Sequence, residues 1–154
     1  MSGRTPPTGL LDADVEALDE AGLRRFARAH SEATGAAYVS RSYRFPFAMI
    51  AWHDQPVGVD IERVQPLDAV FLESICTPSE RHRTPPAGER GRYATALWSS
   101  KEALAKALGD ALDYDPRRLE SPLFWPGGAA GPWRARELAA PAGYVAWLCW
   151  RACP

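Results

Sequence analysis

The chain has 154 residues, 46% hydrophobic and 24% charged, which suits a single globular unit that buries its own core and excludes two full-sized domains. Eighteen basic against nineteen acidic side chains leave a formal charge of −1, which excludes a protein that lives on a phosphate backbone and confines any basic site to a local patch. Three scattered cysteines, Cys76, Cys149 and Cys153, a start (MSGRTPPTGL) without a signal-peptide core and the lack of any apolar run near ~20 residues exclude a disulfide framework and a membrane partner, so a cytoplasmic chain is expected.

Residues 1–10 are expected to be flexible. From Leu11 to His30, Val15, Leu18 and Phe26 fall at helical spacing and predict an amphipathic helix ending near Gly35. Ala37 to Tyr43 is mixed in pattern. The apolar run Phe47 to Trp52 and the alternating Val57 to Glu62 predict two strands joined by the turn His53-Asp54-Gln55-Pro56. Thr77-Pro78-Ser79-Glu80 places a capping residue, a proline and a glutamate where a helix opens, and Thr84-Pro85-Pro86-Ala87-Gly88 interrupts it. Glu89 to Leu108 is the strongest helix: Leu97, Leu104 and Leu108 share a stripe, and Gly109 stands where a C-terminal cap belongs. Asp113 to Pro132 is loop, with its tip at Pro126-Gly127-Gly128. Trp133 to Leu138 and Tyr144 to Trp150 predict a closing antiparallel pair. No internal repeat is visible in the residues, and the order of elements is that of an α+β protein, an antiparallel sheet packed against helices.

Two places in this order carry chemistry. On the strand Gly58-Val59-Asp60-Ile61-Glu62, residues two apart share a face, so Asp60 and Glu62 project together while Val59 and Ile61 face the core. Adjacent carboxylates repel unless a cation, a shared proton or solvation relieves them; a hard divalent ion such as Mg²⁺ is one answer, a solvated strand end the other. In the helix, Trp98-Ser99-Ser100-Lys101-Glu102-Ala103-Leu104-Ala105-Lys106 puts Lys101 on the leucine stripe, where its ammonium must snorkel out or meet an anion. Glu102 and Lys106, four apart, have the spacing of an ordinary surface ion pair. Taken together, three carboxylates and two lysines are also what a metal-bound diphosphate requires. His30, His53 and His82 lack ligand spacing. Arg81, Arg83, Arg90 and Arg92 form a basic cluster, by default solvated, that also suits an acidic protein partner.

Gly58-Val59-Asp60-Ile61-Glu62 followed by Trp98-Ser99-x-Lys101-Glu102-Ala103-x-x-Lys106 resembles the bipartite signature of the 4′-phosphopantetheinyl transferases, and Trp133-Arg134-Ala135-Arg136 and Gly143-Tyr144-Val145-Ala146 resemble the closing strands of the Sfp-type members. The resemblance implies that Asp60, Glu62 and Glu102 hold Mg²⁺ against the diphosphate of coenzyme A and that Lys101 and Lys106 contact its phosphates. It implies transfer of phosphopantetheine to a serine of an apo acyl or peptidyl carrier protein, with Glu102 directly, or Glu62 through a water, taking the serine proton. Lys101, Glu62 and Glu102 are thus the expected catalytic set. Where Sfp-type members show Ser-His-Ser, this chain has Ser40-Arg41-Ser42; Ser40 and Arg41 are expected to bind phosphate, arginine supplying the charge and a matching fork. The expected layout is one transferase-like domain over 1–154, with 11–56 a shortened N-terminal half that lacks much of the family's first half, and 57–152 the catalytic half. A monomer is expected. The alternatives are a non-catalytic module that binds a carrier protein or coenzyme A, and another Mg²⁺-diphosphate enzyme on the same scaffold.

Overall fold

In the computed structural model, which describes residues 4–154 except 67, 84, 86 and 87, a strand-helix-strand-strand unit occurs twice. The first runs β1 (Thr8–Asp12), α1 (Glu20–Glu32), β2 (Tyr38–Arg44), β3 (Phe47–His53). The second runs β4 (Val57–Arg63), α2 (Ala69–Ile75), α3 (Arg90–Leu108), β5 (Ala129–Ala130), β6 (Trp133–Leu138), β7 (Tyr144–Arg151), with short 3₁₀ turns at Glu80–His82, Pro116–Arg118, Pro122–Phe124 and Pro126–Gly128. Each unit inserts its last long strand between the other two, giving antiparallel sheets ordered β1-β3-β2 and β4-β7-β6-β5. The architecture is α+β, as expected. The order of the first unit thus recurs in the second, a repeat that the amino acids do not show because a sheet constrains alternation of burial rather than identity.

The N-terminal region differs most from the sequence expectation. Leu10 and Leu11 belong to β1, paired with Met49 and Ala48 of β3, so residues 8–10 are strand and residues 1–3 lie outside the described part. The helix begins only at Glu20, because the Asp19 carboxylate accepts from the Gly22 amide at 2.6 Å and satisfies a free N-terminal donor. Val15 is left exposed, while Leu23 and Ala27 pack against Ala13, Ala48 and Ile50. The mixed segment after Ala37 is β2. The strands on either side of His53–Pro56 exist, but that turn hands the chain from one sheet to the other instead of closing a hairpin. Thr77-Pro78-Ser79-Glu80 forms the reciprocal bonds of a capping box, Glu80 N to Thr77 Oγ1 at 3.3 Å and Thr77 N to Glu80 Oε1 at 2.9 Å, yet it opens a single 3₁₀ turn. The expected interruption at 84–88 falls largely on positions outside the described residues. α3 is the expected helix, ended by Gly109 at φ 83°. No helix among the described residues is long and apolar enough to cross a membrane.

α3 lies across β4 and β7, with Ala103, Leu104 and Ala107 against Val145, Trp147 and Cys149. Val59 and Ile61 face away from α3, into the core with Met49, Ala146 and Leu148. The close approach of α3 to β4 rests on Gly58: a Cβ there would sit 1.9 Å from the Ala103 carbonyl oxygen and 2.6 Å from the Ala107 amide. Gly58→Ala must push the helix off the strand, so it is expected to cost about 3 kcal/mol or more of folding stability, read by denaturant unfolding. The two sheets meet where β2 lies beside β4. Ser40 Oγ accepts from the Val59 amide and Ser42 Oγ from the Ile61 amide, each at 3.0 Å, so serine hydroxyls take the place of ladder carbonyls along the edge of β4 that β2 covers.

Candidate active site

The face of β4 turned toward α3 carries Asp60 and Glu62. From α3, Glu102 and Lys106 reach the same cleft, and from β2 Arg41 and Arg44 close its side, around a space of about 260 Å³. The strand's alternation and the helix's four-residue spacing thus bring Asp60, Glu62, Glu102 and Lys106 together.

Asp60 is only 3% exposed. Its Oδ1 accepts from Ser42 Oγ at 3.2 Å and Lys106 Nζ at 3.3 Å, while Oδ2 makes no hydrogen bond of ordinary geometry among the described residues, and the Ser99 hydroxyl near the carboxylate is likewise unpaired. Burial pushes its pKa up to about 7, offset in part by the Lys106 charge and reinforced by the Glu62 charge. Glu62 is held by a two-pronged bond from Arg44, Nε to Oε2 at 2.7 Å and Nη2 to Oε1 at 2.9 Å. Glu102 accepts from the Tyr114 hydroxyl at 2.5 Å; partial burial raises its pKa, and that hydrogen bond works in the opposite sense. The phenol of Tyr114 is pushed up by burial and by the Glu102 carboxylate it faces. Lys106 Nζ also donates to the carbonyls of Val59 at 2.9 Å and Arg41 at 3.3 Å, so the surface ion pair with Glu102 does not form.

Lys101 does not join this cleft, and the expectation that it contacts phosphate is corrected. Its side chain is fully buried on another side of α3, where Nζ donates to Glu80 Oε1 at 2.5 Å and to the carbonyls of Ile75 at 2.5 Å and Pro116 at 2.8 Å. Glu80 Oε2 accepts in turn from the Ser121 amide at 2.7 Å. The helical stripe was right that Lys101 needs an anion; the anion is Glu80. Ser40, expected to bind phosphate, accepts from the Val59 amide and lines the groove beside the cleft. Arg41 donates to Ser31 Oγ at 2.8 Å and lines an adjoining groove of about 460 Å³ with Arg24, Arg28 and Lys106.

The basic cluster divides: Arg92 pairs with Glu137 at 2.7 Å, and Arg83 lies over the Phe124 ring at 4.1 Å. Sequence reasoning missed Arg24, Arg28, Arg44 and Tyr114. The two arginines of α1 sit four apart, a visible signal once the helix is placed; Tyr114 and Arg44 have none.

An all-carboxylate donor set is the chemistry of a hard divalent cation. Among the described residues, Asp60, Glu62 and Glu102 included, no three acidic, histidine or cysteine side chains stand close enough together to hold a metal ion as they are placed. The partnerless Asp60 Oδ2, buried beside two further carboxylates, is nevertheless what such an ion would complete, because a desolvated carboxylate oxygen left unpaired is costly. The donor types, carboxylate oxygens alone, are those that Mg²⁺ takes.

A family model described as the 4′-phosphopantetheinyl transferase superfamily matches residues 56–140, from the start of β4 to just beyond β6. The 4′-phosphopantetheinyl transferase psf-1 of Bacillus pumilus is 36% identical over 63 residues, 40% of this chain and 27% of that protein. The match thus spans about a quarter of the length of the curated relative.

Proposed function

The chain belongs to the 4′-phosphopantetheinyl transferase superfamily, whose family model covers more than half of it, and from that premise we propose that it transfers 4′-phosphopantetheine from coenzyme A to a serine of an apo acyl or peptidyl carrier protein, as a cytoplasmic monomer. The observation that carries the reading is the buried Asp60 carboxylate with one oxygen unpaired, flanked by Glu62 and Glu102 and bordered by a basic groove.

In this reading Asp60, Glu62 and Glu102 are the residues that would hold Mg²⁺, and the ion would supply charge neutralisation on the diphosphate. Lys106 presents an ammonium at the junction of the acidic cleft and the groove, where the diphosphate lies. Arg24, Arg28 and Arg41 take the remaining phosphate of coenzyme A, the guanidinium forks matching its oxygens. The carrier serine oxygen attacks the β-phosphorus, the bond from that phosphorus to the bridging oxygen breaks, and 3′,5′-adenosine bisphosphate leaves. Glu102 takes the serine proton.

Incubation with coenzyme A, Mg²⁺ and an apo carrier protein tests the reading by intact mass: a gain of one phosphopantetheine group supports it. Coenzyme A binding with no gain on several carrier proteins would leave a binding module. Arg41→Ala is expected to weaken coenzyme A binding roughly tenfold, the loss of one charge-assisted phosphate contact, measured by calorimetry; an unchanged affinity removes Arg41 from the phosphate site.

A further inference from the structure

The two carboxylates that share the α3-facing side of β4 are not in the same condition. Asp60 keeps one oxygen unpaired, whereas both oxygens of Glu62 are taken by the guanidinium of Arg44, the last residue of β2. We infer that Arg44 is a built-in competitor for the divalent cation: it holds Glu62 in the metal-free chain and leaves it when the ion binds. The inference rests on the metal site proposed above and adds to it a residue that sets how tightly the free chain takes up metal.

Three features support it. The pair is lopsided in exposure, the Glu62 side chain 11% and the Arg44 side chain 48% accessible, so the guanidinium can swing into water while the carboxylate stays. Apart from Glu62, Arg44 is tied only to the carbonyl of its own neighbour Tyr43, at 2.9 Å, among the described residues. Of the other cations that line the cleft, Lys106 is fixed to three oxygens on two strands, the Asp60 carboxylate among them, and Arg41 donates to Ser31 Oγ. Arg44 is therefore the cation of the cleft that sits on Glu62 and can leave it for water. A guanidinium and a divalent ion on one nearly buried carboxylate repel each other strongly at that separation, so occupancy of Glu62 by one excludes the other. Arg44 acts through Glu62 and is a positioning residue.

The test is a titration of the full chain with Mn²⁺ alone, free ion read by electron paramagnetic resonance. Arg44→Gln is expected to bind Mn²⁺ roughly three- to tenfold more tightly than the wild type, the range of a partly buried charge pair, with Arg44→Lys between the two. A merely structural arginine would weaken binding when removed. The gain must pass through Glu62, so Arg44→Gln in a Glu62→Gln background is expected to match Glu62→Gln alone. Equal or weaker binding by Arg44→Gln, or a gain that survives in the double variant, overturns the inference while leaving the metal site standing. If neither wild type nor any variant takes up Mn²⁺, the metal site itself falls, and the inference with it; the wild-type titration separates the two failures. Mn²⁺ uptake by Arg44→Gln alone supports the inference in its strongest form.

Discussion

Replacing Asp60 with asparagine is expected to lower kcat for transfer by about a thousandfold or more, on the order of 4 kcal/mol of transition-state stabilisation. Asparagine keeps the size and leaves the site without the carboxylate that has an oxygen to spare for a cation. The same substitution should change stability in the opposite direction. In the folded chain burial holds the Asp60 pKa at about 7, against an ordinary value of 3.8. The folded state therefore keeps a proton that the unfolded state has released. The stability linked to that proton is fully present below about pH 4 and is lost as pH rises through about 7. The loss is on the order of 4 kcal/mol at most. Metal-free wild type should melt at a lower temperature near pH 8 than near pH 5, and Asp60→Asn should flatten that slope and melt higher than wild type near pH 8. Mg²⁺ should raise the melting temperature of the wild type near pH 8 and do little near pH 5, where the proton already occupies the carboxylate. Thermal melts over pH with and without Mg²⁺ check each part.

Lys101→Met is expected to cost about 3–5 kcal/mol in folding stability, because it leaves the Glu80 carboxylate buried without its cation. The Glu80 side chain is 1% exposed and has no water to turn to. The change also cuts the link from α3 to the 3₁₀ turns around Glu80 and Pro116. Urea unfolding measures the cost, and adding Glu80→Gln should recover much of it, since two neutral groups replace an orphaned charge. Coenzyme A affinity of the folded Lys101→Met protein is expected to stay within about twofold of the wild type. A large loss of affinity with little loss of stability would return Lys101 to the phosphate site.

The difference between Lys101 and Lys106 shows how far the residues could be read. Both stand in one strongly periodic helix, and period alone placed Lys101 on the buried stripe with Leu97 and Leu104. Period does not name the anion that meets a buried lysine. Glu80 had a sufficient local explanation in the capping box it completes with Thr77, and nothing in Thr77-Pro78-Ser79-Glu80 shows that its second task lies on α3. The strand-helix core of the site was legible because alternation on β4 and the four-residue step on α3 are short-range rules. Arg44 and Tyr114 were not, because their partners, Glu62 and Glu102, are met only through tertiary packing. The seam of β2 and β4 was hidden for a related reason: Ser40 and Ser42 look like polar strand residues, and only the approach of a second sheet turns their hydroxyls into acceptors for Val59 and Ile61. At the N-terminus, the residue pattern puts Leu10 in a flexible stretch and Leu11 at the start of the helical one, and pairing with β3 places both in a strand.

The account turns on one cation shared between the Asp60 carboxylate and the diphosphate of coenzyme A. Calorimetric titration of coenzyme A into the full chain, with and without Mg²⁺, tests it most directly when repeated on Asp60→Asn. The account predicts that Mg²⁺ tightens coenzyme A binding to the wild type roughly tenfold or more and has little effect on Asp60→Asn, since metal and ligand bound at one site must strengthen each other. Equal wild-type affinity with and without Mg²⁺, or a Mg²⁺ effect that persists in Asp60→Asn, would contradict it.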